Sequence, residues 1–165
     1  MTVRRLLPLI LAALPFLASA DSAKPLGKSG DWESFTYAEK GGRVCYMASL
    51  PKHSSGAPKG RGPAFVTITH RTSDKSVGVV SVTQGVAFKK DSAPQIEIGG
   101  SRFDLYVSGD TAWSRNDKAV VAALSKGKAA QIHGQSAKGE AITDSYSLDG
   151  FGKAYSEISK ACGVP

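Results

Sequence analysis

The chain has 165 residues, 41% hydrophobic and 21% charged, with a formal charge of +7. That length suits one domain with a core of its own and is too short for two ordinary ones. With two cysteines, three histidines and no Cys-x-x-Cys, the composition argues against a cysteine-rich metal or redox protein.

The N-terminus has the parts of a secretory signal peptide. Arg4 and Arg5 precede an apolar run from Leu6 to Leu17, and Ala18-Ser19-Ala20 offers small residues at a cleavage position. The expected cut follows Ala20, making residues 1–20 the signal. Pro8 and Pro15 interrupt the run, which is short for a bilayer span, so no transmembrane segment is expected after cleavage. No cysteine stands at the cut to carry a lipid. Cleavage removes two arginines and no acid, leaving +5. A basic exported protein is drawn to anionic surfaces; the plainer alternative is that excess lysine keeps it soluble.

Residues 21–30, rich in Ser, Lys, Gly and Pro, read as a flexible leader to a single domain over 31–165. Asp31 to Tyr37 and Arg43 to Leu50 alternate as strands around Glu39-Lys40-Gly41-Gly42, a hairpin. Pro51 to Pro63 is a long loop with almost no apolar side chain. Ala64 to Arg71 and Val77 to Gln84 are strands about a turn at Thr72 to Ser76. Ile96 to Ile98 and Arg102 to Val107 form a further hairpin about Gly99-Gly100. Ser114 and Asp117 make a weak capping box for a short helix over Ala119 to Leu124 that stops near Gly127. Ala130 to Gly134 and Glu140 to Leu148 return to strand character. In the last segment Phe151, Ala154, Tyr155, Ile158 and Cys162 share one face of a terminal helix. The expected fold is mainly β: an antiparallel sandwich or barrel with about two short helices, one of them C-terminal.

Two cysteines in an exported chain read most simply as one disulfide, Cys45 to Cys162, with two buried thiols as the alternative. His53, His70 and His133 are scattered, and no metal-ligand spacing is present. Gly-x-Ser-x-Gly is absent, and Ser125 with Lys128 is ordinary helix-end chemistry. No catalytic residue, metal or other cofactor is assigned. Most aromatics, among them Trp32, Phe35, Phe65, Phe88, Phe103, Phe151 and Tyr155, are expected in the core. Trp113 is set apart as a surface aromatic, since it precedes the helix and follows Gly109-Asp110-Thr111. The candidate contact is the basic loop: Lys52, His53, Lys59 and Arg61, held open by Pro and Gly and free of acids, should stay solvated.

Several short stretches fall in a familiar order: Asp31-Trp32, Val44-Cys45-Tyr46, Gly85-Val86-Ala87-Phe88, Ile96-Glu97-Ile98, Leu124 to Gly127, and Ser147-Leu148-Asp149-Gly150-Phe151 with the following Ala154. In these the chain resembles the invasion-associated locus B family of alphaproteobacteria. The resemblance implies an immunoglobulin-like sandwich exported to the periplasm or outer membrane, with a name that comes from host-cell entry. Many members carry an extra cysteine pair near the position of Trp113; this chain has none. The expected function is therefore a non-enzymatic periplasmic or envelope-associated binding protein. Its expected partners are anionic envelope or host-surface molecules or another envelope protein, not a specific nucleic acid. The rivals are a periplasmic enzyme with a site assembled from distant residues and a purely structural envelope component.

Overall fold

The computed structural model describes residues 22–165, so the expected signal over 1–20 lies outside the described residues. The elements are β1 (Lys24–Ser29), β2 (Trp32–Glu39), β3 (Gly42–Ser49), β4 (His53–Ser55), β5 (Phe65–Arg71), β6 (Ser76–Thr83), β7 (Gln95–Ile98), β8 (Ser101–Ser108), β9 (Thr111–Ser114), α1 (Asp117–Leu124), β10 (Ala129–Gln135), β11 (Ala141–Ser147) and α2 (Phe151–Cys162). The strands bond in the continuous order β1-β2-β3-β5-β6-β9-β8-β7-β10-β11-β4.

The joint is β8. Its first half, Ser101 to Asp104, pairs with β7, and its second half, Leu105 to Ser108, pairs with β9. One strand thus belongs to two sheets: sheet A from β1 to β8, and sheet B from β8 to β4. Alternation along each strand turns one row of side chains inward. Sheet A supplies Trp32, Met47, Ile68, Val80 and Val82 to the common core, and sheet B supplies Ile96, Ile98, Ile132 and Tyr146. The expected mainly β antiparallel fold with two helices, one C-terminal, is what the chain adopts.

The C-terminal helix α2 packs against β1, β2, β3 and β5. Phe151, Ala154 and Ile158 are buried on its inner face, and the Phe151 ring meets Trp32 edge to face at 5.0 Å. The Ser-Leu-Asp-Gly-Phe stretch makes this docking possible. Gly150 has φ +84, and a Cβ there would lie 1.9 Å from the Ser29 carbonyl oxygen, so both the conformation and the close approach demand glycine. The chains cross at that point: the Asp31 amide donates to the Asp149 carbonyl, and the Trp32 indole N–H donates to the Ser147 carbonyl. At the other end of α2, Cys162 is bonded to Cys45, 117 residues away. The expected disulfide is present.

Three local expectations are corrected. The leader over 21–30 is strand from Lys24 to Ser29, paired with β2 through a register shift between Pro25 and Gly27. Backbone pairing and the neighbouring α2 hold it, so it needs no apolar anchor of its own. Thr111–Ser114 is a strand, β9, squeezed between β6 and β8, where the sequence suggests only an approach to the helix. The N-cap of α1 is Asn116, whose side chain accepts from the Ala119 amide, while the Ser114 hydroxyl, two residues earlier, accepts from the Asn116 amide.

Candidate functional site

The long loop is built inward. Its first residues form β4 and pair with β11, and the Lys52 amide donates to the Ser145 carbonyl. The Arg61 guanidinium then reaches Asp144 on β11 with two nitrogens, and its Nε donates to the Gln84 carbonyl. The side chains of Arg61 and Asp144 are 8% and 2% exposed. The Ser54 hydroxyl completes the carboxylate's coordination at 2.6 Å. Arg61 is therefore not a solvated contact but the bolt that fastens the loop, and its charge is neutralised. The reason is the acid on β11: one buried carboxylate on the inner face of sheet B captures the nearest guanidinium as a planar fork. Lys52 is also engaged, with Asp31 at 2.5 Å, and that pair holds the Asp31 carboxyl below the usual range. His53 and Lys59 remain exposed.

The histidines do not meet. His53 lies on β4, His133 on the outer face of sheet B beside Glu97, and His70 is fully buried behind α2. The Nδ1 of His70 accepts from the Gly78 amide, which leaves Nε2 to donate to the Ser159 hydroxyl. Burial pushes its pKa down.

The outer faces of the two sheets differ in kind. Sheet B presents Gln95, Glu97, Arg102, Gln131, His133 and Thr143, the polar surface expected of a solvated antiparallel sheet. Sheet A presents aromatic rings. Register fixes three cross-strand rows: Glu33, Ala48, Thr67, Ser81, Trp113 and Tyr106; then Phe35, Tyr46, Thr69 and Val79; then Tyr37, Val44, Arg71 and Ser76. Phe35 stacks on Tyr46 at 5.2 Å, with Tyr37 edge-on to the same ring. Two grooves of about 480 and 550 Å³ lie side by side on this face and meet at Tyr46 and Thr67. Burial, with Tyr37 beside it, pushes the Tyr46 phenol up.

Phe35 and Phe65, expected in the core, stand on this open face instead, half-buried. Trp113 is on it too, but within a strand and beside Tyr106 rather than on a loop. A signal for the face was present in the alternation of β2, which has Trp32 on one side and Phe35 and Tyr37 on the other. A strand with aromatics on both sides has more apolar surface than one core absorbs.

An antiparallel β-domain closed by a tethered C-terminal helix and bearing one aromatic open face is the class of protein this structure defines. The chain belongs to the invasion associated locus B (IalB) family, whose model matches residues 32–159. Among solved structures it is similar to the crystal structure of invasion associated protein B from Bartonella henselae, with a TM-score of 0.59 and 18% sequence identity over 82% of this chain and 96% of that one. At that identity the likeness shows the fold. A comparison with curated proteins finds no match.

Proposed function

We propose that this chain is an exported, non-enzymatic binding protein of the cell envelope, and that its contact surface is the open face of sheet A. One observation carries the reading. The inner face of sheet A is covered by α2 and sheet B, whereas its outer face keeps Phe35, Tyr37, Tyr46 and Trp113 at a groove that none of the described residues fills. Aromatic side chains left half-exposed together on one surface mark contact with another molecule. The disulfide and the signal-like N-terminus support export to an oxidising compartment such as the periplasm. The separation of His53, His70 and His133 supports binding over acid–base chemistry.

A photoreactive amino acid at Val79, on this face, tests the reading in intact envelopes, with Gln131 on the outer face of sheet B as the control. Crosslinks from 79 and not from 131 are expected. Equal crosslinking from both positions would sink the assignment.

A further inference from the structure

We propose that the open face of sheet A binds an uncharged linear oligosaccharide laid across the strands, an inference that rests on the binding reading above. The argument begins with charge. The protein is strongly basic, yet the bases along this depression each have an acid partner: Lys28 pairs with Glu33, Lys52 with Asp31 and Arg71 with Glu39, and Asp74 lies in the same groove as Arg71. Hydrogen bonds from Ser76 hold the Asp74 carboxyl low, so it remains an acceptor close to a guanidinium donor. A surface whose bases are each paired with an acid complements a neutral polar ligand, not an anion.

The second step is the distribution of side chains. Protein partners are met by an apolar centre and a polar rim. Here hydroxyls and rings are interleaved across the strands: β5 and β6 carry Thr67, Thr69 and Ser81 beside Phe65 and Val79, with Phe35 and Tyr46 on β2 and β3 to one side and Trp113 on β9 to the other. From β3 to β9 is three strand spacings, about 14 Å, the reach of a few sugar rings. Pyranoses present apolar C–H faces that stack on aromatic rings and edges of hydroxyls that need short hydrogen-bonding partners.

The third step concerns the floor. The hydroxyls of Thr67 and Ser81 bond to each other, and since one bond uses one proton, the second hydroxyl's proton is left to serve a ligand acceptor. Recognition of a peptide backbone is disfavoured, because β3 and β5 are paired on both sides, β6 is paired with β9 over Ser81–Thr83, and the Gly78 and Val80 amides are taken by the side chains of His70 and Asp117.

The experiment uses the signal-free chain and three neutral probes, cellohexaose, chitohexaose and laminarihexaose. Trp32 is fully buried and Trp113 lines the groove, so intrinsic fluorescence reports on the face. At least one probe should give a saturable change in fluorescence that is the same at low and high salt. Tyr46→Ala should weaken it about tenfold, the loss of one stacked ring. Thr67→Val, which keeps shape and removes the hydroxyl, should weaken it severalfold and serves if Tyr46→Ala does not fold. No response to any probe overturns the ligand class, as does affinity that falls steeply with salt. Binding untouched by both variants overturns the site. If the sugars fail while position 79 still crosslinks to a protein, the surface reading stands and the oligosaccharide falls; if 79 and 131 crosslink alike, the surface reading itself has failed.

Discussion

Arg61 and Asp144 show how much one pair can decide. A buried ion pair adds little net stability over apolar groups of similar shape, but removing one partner strands the other charge in a dry site, at about 3–5 kcal/mol. Asp144→Asn and Arg61→Ser should each lower stability by about that amount in denaturant melts, and a loss below about 1 kcal/mol would mean the loop is not bolted there. By contrast, Lys52→Ser with Lys59→Ser should leave the melt almost unchanged, since exposed pairs contribute little. His70 gives a pH dependence whose sign follows from its burial. In the fold its pKa is depressed, so below the unfolded value of about 6.5 the unfolded chain takes up a proton that the folded one refuses. Stability should therefore be flat above about pH 7 and fall as pH drops from about 6.5, continuing until the folded pKa is reached. Thermal melts between pH 7.5 and 5.5, compared with those of His70→Asn, would show whether this residue supplies the slope.

At the scale of elements, α2 depends on a docked end and a tethered end. Phe151→Ala should cost about 3–5 kcal/mol, because a large ring leaves a packed core beside Trp32. Cys162→Ser should cost about 5 kcal/mol by the loop-closure argument for a separation of 117 residues. Much of this was readable in the sequence. The three-and-four spacing of Phe151, Ala154 and Ile158 announces the helix face, and period-two runs announce most strands. What escaped reading has particular causes. β1 is Lys-Pro-Leu-Gly-Lys-Ser, whose composition says leader; only its partner β2 makes it a strand. β9 is short and abuts a helix, so it has too few residues to show a period. Arg61 looked free because its acid lies 83 residues away, and no local pattern reports a contact at that range. The open face was half legible: the aromatics of β2 on both sides gave it away, but Trp113 joins them only through pairing with Ser81.

For the molecule as a whole, net charge is a poor guide to recognition. The formal charge of +7 would suggest anionic partners and steep salt dependence, yet on the open face Lys28, Lys52 and Arg71 are paired with Glu33, Asp31 and Glu39. Affinity for heparin or anionic vesicles, if present, should track total lysine number rather than the loop: Lys52→Ser with Lys59→Ser should reduce it no more than Lys75→Ser with Lys138→Ser. A loss confined to the loop variant would restore the loop as a contact. The strand shared by both sheets has its own consequence for cooperativity. Because β8 passes hydrogen bonds from β7 to β9 without a break, the two layers have no seam along which one could open while the other stays closed. Amide exchange in sheet A and sheet B should then converge on one opening free energy rather than two, and Leu105→Pro, placed where the strand changes allegiance, should collapse both layers together.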